Sequence, residues 1–580
     1  MDNNFYSSER NTQILVSLLK AHNIKRIIVS PGSTNINFVA CIQNDPFFQI
    51  YSCVDERSAA YMACGMAAES MEPVALSCTG ATSSRNYVPG LTEAYYRKLP
   101  IVAITSAQHL GRIGQMVPQV IDRSVIMNDI ARLSITVPAI NNKDDEWACE
   151  VSINRALLAL KRHPRGPVHI NLVTTYNQDF SLRNLPAVRK ISLFDNNDEL
   201  PELKAKRIGI FVGAHLRWSD HLTELVDNFC DKYNAVVLCD HTSNYHGKFR
   251  VLAALACYQS QYIPSCCCFD ILIHLGEISG AYFKLFPKYV WRVTPDGEVQ
   301  DPFKRLQFVF DMTEEDFFSK YLSISKNTGK NSFLEEWKTE LKKLIDKIPE
   351  LPFSNPWIAQ QTISRLPSNS TLHLGILNSL RSWNFFDGDK TLSGFSNTGG
   401  FGIDGGVSSF IGASLVDDSR LFFAVVGDLA FFYDMNSIGN RHVGSNVRIL
   451  VINNGKGTEF RNFDNLAYKF GDQADNYMAA AGHFGNKSIS LLRHYSEDLH
   501  FEYLHASTKE EFLEVLPKFV NPKIGDRPIF FEVFTDSKLE NLALKTLSTL
   551  EVSTQGAVKA KAKEILGPKN IQTLKNLLRR

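Results

Sequence analysis

No run of about 18 uncharged apolar residues occurs in this sequence, so no helix able to span a bilayer is expected. A surplus of charge is missing too. Lys and Arg number 62 against 61 Asp and Glu, a net charge of +1, which leaves no bulk field to draw nucleic acid or an anionic membrane. Any anionic ligand must then be held by a local site. The 11 cysteines include no pair at zinc-ligand spacing with partner histidines. Scattered through apolar stretches (Cys41, Cys53, Cys64, Cys78), with a run at Cys266, Cys267 and Cys268, they read as reduced core thiols and predict a cytoplasmic protein. Acidic residues and an arginine precede the first apolar run, which Lys20 and His22 interrupt, so no signal peptide is expected. Long disorder is not expected either, since 44% of the residues are hydrophobic and 21% charged, near globular averages.

What the sequence does have is length and alternation. Its 580 residues, at about 150 per domain, predict three or four domains. Thr12 to His22 carries apolar positions at helical spacing, and RIIVS (Arg26 to Ser30) is a short β-branched run ending in Pro31-Gly32-Ser33. The alternation recurs through ERSAAYMACGMAAES, PVALSC, NYVPGLTEAYYRK, LPIVAITS and PVHINLV. Helices alternating with near-continuous apolar strands predict a parallel sheet covered on both faces.

A second α/β unit starts at RIGIFVGAH, whose single glycine after the strand lacks the G-x-G-x-x-G spacing of a dinucleotide site. A third, reached through a charged helix (Phe333 to Ile348) and the stretch ELPFSNPW, has strands at LFFAVVGD, VRILVINN and PIFFEVF. The expected fold class is α/β: three doubly wound parallel-sheet domains and a helical C-terminal tail. The tail, from residue 538 onward, is basic, with Lys559, Lys561, Lys563, Lys569, Lys575, Arg579 and Arg580.

The sharpest chemical signal lies in the third unit. One strand runs into Gly427-Asp428-Leu429 and the next into Asn453-Asn454-Gly455, which delivers a carboxylate and an amide oxygen at neighbouring strand ends. Such a hard-oxygen pair suits Mg2+ that keeps phosphate oxygens as further ligands. Glycine before the aspartate lets the backbone approach a diphosphate. The plain alternative is a turn with an Asp cap and an unrelated Asn.

With this G-D-x followed by N-N, the sequence resembles the thiamine diphosphate-dependent enzymes. Within them it is most similar to the menaquinone-pathway 2-succinyl-5-enolpyruvyl-6-hydroxy-3-cyclohexene-1-carboxylate synthases. The matching stretches are SPGS (Ser30 to Ser33), DERSAA (Asp55 to Ala60), NYVPGLTEA, LPIVAITS, SNTGGFGIDG (Ser396 to Gly405) and VGDLAFFYDMNSI (Val426 to Ile438).

The resemblance implies thiamine diphosphate and Mg2+ as cofactors. It divides the chain into an N-terminal pyrimidine-binding domain (1–185), a central domain (186–350), a C-terminal diphosphate-binding domain (351–537) and the basic tail (538–580). Glu56 would hydrogen-bond the aminopyrimidine, a role for which a carboxyl with a raised pKa is expected. Ile403 would prop the cofactor into its bent shape. Asp428 and Asn454 would bind the metal by side chain and Lys456 by its carbonyl. Pro31, Gly32, Gly402, Gly427, Leu429 and Gly457 would line the cofactor, and Gln119 would lie near the thiazolium. Active sites shared between subunits would make the protein a homodimer or homotetramer.

The departures concern cations. Where the family has arginines that clamp carboxylates, this sequence has Thr34, Gln108 and Thr398, and a Lys-Arg pair is replaced by Tyr282 and Phe283. Arg381 survives. Beside it Phe460 and Arg85 are candidate substrate contacts, and Glu459, in GKGTEF, is either an acid/base facing the pocket or a solvent-facing loop residue. These changes predict an acceptor with fewer carboxylates.

The expected reaction is decarboxylation of a 2-oxoacid, pyruvate being the simplest, with transfer of the resulting carbanion-enamine to an acceptor. Acetolactate-synthase-like condensation and simple decarboxylation to an aldehyde stay open, as does an inactive scaffold acting through its basic tail.

Overall fold

The computed structural model describes residues 6–281, 283–324, 332–482 and 488–554. Tyr282 and the basic residues from Lys559 to Arg580 lie outside them.

Three sheets organise the chain. The first holds β1 (Arg26–Val29), β2 (Gln49–Ser52), β3 (Val74–Cys78), β4 (Ile101–Ala107), β5 (Leu133–Val137) and β6 (Val168–Val173). Its order is β2-β1-β3-β4-β6-β5, with every pair parallel. The second has seven strands, β7 (Ser192–Asp195), β8 (Ile208–Val212), β9 (Ala235–Cys239), β10 (Arg250–Leu252), β11 (Cys268–Leu275), β12 (Phe286–Thr294) and β13 (Leu306–Asp311), ordered β10-β9-β8-β11-β12-β13-β7. The third comprises β14 (Thr371–Leu374), β15 (Ser393–Phe395), β16 (Phe422–Gly427), β17 (Val447–Asn453), β18 (Glu502–Ala506) and β19 (Ile529–Phe534). Its order, β15-β14-β16-β17-β19-β18, repeats that of the first sheet strand for strand, again all parallel.

In both six-stranded sheets the chain leaves the first strand for an edge and returns on its other side. That reversal opens a crevice at the carboxyl ends of the first and third strands, where ligands of open parallel sheets bind. The central strands β3, β17 and β6 are buried along their whole length, which is why they read as unbroken apolar runs.

The chain divides into two compact units: residues 1–201 with 291–312, and residues 202–290 with 313–580. The division cuts through the segment 186–350 expected as one central domain. Side chains explain it: Asp301 accepts hydrogen bonds from Arg189 at 2.6 Å and Trp147 at 2.9 Å, and Glu298 from Arg162 at 2.8 Å, so 298–301 is tied into the first unit.

The helix Glu56–Ser70 shows how sequence fixes the site locally. Asp55 caps it, its Oδ1 accepting from the Arg57 and Ser58 amides, which leaves Glu56 in the first turn. Ala59, Ala60, Ala63, Cys64 and Ala67 form its buried stripe. Small residues let the neighbouring helix Val88–Arg97 come so close that a Cβ on Gly90 would lie 2.4 Å from that of Ala60.

Candidate active site

In the second unit, β16 ends at Gly427 and the helix Asp428–Asp434 begins with Asp428 in its first turn. Asp428 is buried, and one carboxylate oxygen accepts the Gly455 amide at 2.9 Å. This bond draws the turn after β17, with Gly455 at φ +76°, against the aspartate. Burial pushes the Asp428 carboxyl up to about 7, against the downward pull of the Leu429 and Gly455 amides. No cationic side chain pairs with it among the described residues.

A buried carboxylate without a counter-charge, served by backbone amides alone, is a donor set that fits a divalent cation. Asn454 adds an amide oxygen that accepts the Thr458 hydroxyl at 2.6 Å and keeps a second lone pair. Lys456 sends its ammonium away to Asp475, at 2.7 Å. Gly427 has open space where a Cβ would stand, so its backbone can be approached. A Cβ on Gly457 would lie 3.3 Å from both Leu429 and Phe460 side-chain atoms, which places these three residues together. Ile403 is half-buried on the loop before the helix Gly406–Ser414, next to Gly402.

A cavity of about 290 Å3 lies in the same unit. Arg381 and Glu459 face each other across its wall in a two-pronged ion pair, Nη1 to Oε2 at 2.9 Å and Nη2 to Oε1 at 3.0 Å. Asn462 donates to the same carboxylate at 3.1 Å, and Arg381 also donates to Asn378 at 3.1 Å. Burial alone would depress the Arg381 guanidinium, but Glu459 outweighs it and holds it above its ordinary value. Tyr258, Lys284, Asn384, Asp464 and Asn465 add to the polar lining.

One expectation is corrected here. Arg381 is not an open carboxylate clamp, because Glu459 fills its fork. Of the two placements expected for Glu459, it lines the cavity rather than facing solvent, and its carboxylate is held there by Arg381. Thr398 is buried, with its methyl 3.2 Å from where a Cβ on Gly280 would stand.

In the first unit, Pro31 and Gly32 follow β1, and Gly32 packs so tightly on Thr79 that a Cβ would approach its side chain to 2.4 Å. Thr34 is buried and uses its hydroxyl on Thr79 and on the Gly80 amide, at 3.2 Å. Glu56 is half-buried, and its Oε2 accepts the Asn86 amide at 3.2 Å. The raised pKa expected for it is corrected. Burial does push the carboxyl up, but hydrogen bonds from Ser83 and Asn86 win, and it sits below its ordinary value.

Gln108 accepts from Arg112 at 2.5 Å. With Gln119 it lines a second, smaller cavity, of about 90 Å3. Arg85 reaches the Asp122 carbonyl at 3.1 Å. The same small cavity contains a residue that sequence reasoning missed, Arg123, which is buried to 7% exposure. A signal was present: a lone arginine among the apolar residues Val120, Ile121, Val125 and Ile126.

Residues 10–126 match the family described as thiamine pyrophosphate enzyme, N-terminal TPP binding domain. The 2-succinyl-5-enolpyruvyl-6-hydroxy-3-cyclohexene-1-carboxylate synthase of Bacteroides fragilis is 30% identical, the match covering 93% of this chain and 98% of that one. The synthase of the same name from Bacteroides thetaiotaomicron gives the same figures, 30%, 93% and 98%. Among solved structures, the thiamine diphosphate-dependent 4-hydroxybenzoylformate decarboxylase of Rhodococcus jostii RHA1 is 14% identical with a TM-score of 0.40, over 91% of this chain and 99% of that one.

Proposed function

The chain belongs to the thiamine pyrophosphate-dependent 2-succinyl-5-enolpyruvyl-6-hydroxy-3-cyclohexene-1-carboxylate synthase family, and from that premise we propose a thiamine diphosphate- and Mg2+-dependent enzyme that decarboxylates a 2-oxoacid, pyruvate in the simplest case, and joins the remainder to an acceptor. The observation that carries this reading is the buried carboxylate of Asp428, closed in by the Gly455 turn and left without a cation.

Asp428 and Asn454 would hold the metal through side-chain oxygens and Lys456 through its carbonyl, and the cofactor's diphosphate would complete the shell. Bound there, the cofactor supplies the electron sink for loss of CO2. Glu56 would hydrogen-bond the aminopyrimidine, with Asn86 fixing the direction of its carboxylate. Ile403 would support the bend of the cofactor, and Gln119 would stand on the thiazolium side. The exposed stripe of the helix Glu56–Ser70, with Tyr61 at 48%, Met62 at 40% and Gly65 between open flanks, suits packing against a second copy of the chain. A homodimer or homotetramer follows.

The acceptor is expected to carry hydroxyl or amino groups rather than several carboxylates. The cavity next to the 454–460 segment presents an arginine already neutralised by Glu459, together with one ammonium (Lys284), one carboxylate (Asp464), amides and a phenol. A polycarboxylate would meet no open fork there, whereas hydroxyls find both donors and acceptors.

The test is cofactor retention. Titrating the protein with thiamine diphosphate in the presence of Mg2+, followed by tryptophan fluorescence, should give saturable binding that Asp428→Ala weakens by about 100-fold or more. Equal binding by the variant, or none by the wild type, overturns the reading. Holoenzyme given pyruvate should release CO2 in proportion to added acceptor.

A further inference from the structure

Among the described residues of the first unit, Arg123 is a buried cation with donors left unsatisfied. Its Nη2 donates to the Ser106 carbonyl at 3.0 Å and to the Asn171 side chain at 2.7 Å. Its Nε and Nη1 are buried and find no acceptor among the described residues. Two nitrogens of a planar guanidinium, with three N–H donors between them, thus stay unused in a place that water reaches poorly, an arrangement that costs free energy unless an acceptor arrives.

The guanidinium lines the cavity of about 90 Å3, together with Gln108, Gln119 and Thr136. No Asp or Glu lines it among the described residues. The nearest acid in sequence, Asp122, turns its carboxylate to the Ser124 amide and hydroxyl, at 2.9 and 2.6 Å. The cavity is therefore electropositive, small, and furnished with amides and a hydroxyl that can take the outer lone pairs of a planar anion.

We propose that this cavity is a carboxylate-binding subsite, in which an N–H that Arg123 leaves unused, on Nη1 or on Nε, donates to the carboxylate of a small monocarboxylate. Naming that carboxylate as the donor 2-oxoacid's rests on the function proposed above; the subsite itself rests on Arg123. It relocates the donor's anchor from Arg381, whose fork is filled by Glu459, to an arginine that still has N–H groups without an acceptor. The lining glutamines, Gln108 and Gln119, then act on the same bound group.

The experiment is calorimetric titration of the full chain, with and without Mg2+ and thiamine diphosphate, at constant ionic strength, using sodium pyruvate, sodium acetate and acetamide. Pyruvate and acetate should compete for one site and acetamide should not bind. Arg123→Gln should weaken both carboxylates at least tenfold. Ala107→Leu, which fills the cavity without altering the guanidinium, should do the same and decides the matter if Arg123→Gln does not fold. Carboxylate affinity unchanged in a folded variant, acetamide binding as well as acetate, or no carboxylate binding at all overturns the proposal. Arg123-dependent acetate binding by a chain that takes up no thiamine diphosphate would keep the subsite and reject the proposed function. Cofactor uptake without Arg123-dependent carboxylate binding does the reverse.

Discussion

The two six-stranded sheets share one strand order, so β3 and β4 of the first correspond to β16 and β17 of the third, and the segments that follow these central strands carry buried charges of opposite sign. Past β16 stands Asp428, a buried carboxylate with amides but no cation; in the loops past β4 stands Arg123, a buried guanidinium with carbonyl and amide partners but no anion. Burial pushes each toward its neutral form, Asp428 up to about 7 and Arg123 below its ordinary value. One topology thus carries a buried carboxylate past a central strand of one sheet and a buried guanidinium past a central strand of the other, and the residue placed there decides what charge is attracted. Fold alone does not choose the ligand. Arg381 is the counter-example, equally an arginine in a cavity wall but already paired.

That contrast is most severely tested by opening the closed pair. Glu459→Gln strands the Arg381 guanidinium, whose side chain is 13% exposed, and is expected to cost about 3 kcal/mol in urea unfolding, since a partly buried pair broken on one side leaves an uncompensated charge. Replacing both members, Arg381→Met with Glu459→Met, should recover most of that loss. If the single and double variants lose the same amount, the ion pair is not what holds this wall together.

A smaller effect is expected from His169, which lies between the Thr105 and Ser134 hydroxyls at 2.6 and 2.8 Å. Burial, aided by the Arg123 charge, depresses its pKa from 6.5 to about 3. Between these values the unfolded chain binds a proton that the folded chain refuses, so stability falls as pH drops from about 6.5 toward 3 and is unaffected by this group above 6.5. His169→Gln should flatten that part of the acid limb in unfolding measured against pH. An unchanged slope would show that the imidazole is protonated in the fold.

Much of this was legible in the sequence because it is local. The strands β3, β4 and β17 follow from apolar runs, the helix at Glu56 from its Asp55 cap, and the Asp428 and Asn454 pair from two strand ends about 25 residues apart. The family reading carried by those motifs holds over 93% of the chain. What escaped is pairwise and long-range. Arg381 and Glu459 lie 78 positions apart, and nothing in either neighbourhood announces that one fills the other. Glu56 was expected to have a raised pKa because its apolar neighbours are visible in sequence, whereas the amide of Asn86, 30 residues away, is not. Arg123 went unread because burial belongs to the tertiary structure.

The smallest expected effect is the most discriminating. For an ordinary buried arginine that makes two hydrogen bonds, truncation to an apolar side chain destabilises by several kcal/mol. Arg123→Met removes an uncompensated charge at the same time as those two bonds, and the two terms nearly cancel. The change in unfolding free energy without added anion should stay within about 1 kcal/mol. Adding acetate should then stabilise the wild type and leave the variant where it was, because ligand stabilisation requires the site in the folded state. A large loss without anion would mean that Arg123 is a structural strut; a variant that acetate still stabilises would mean that the carboxylate binds elsewhere. Either result would end the contrast between Asp428 and Arg123.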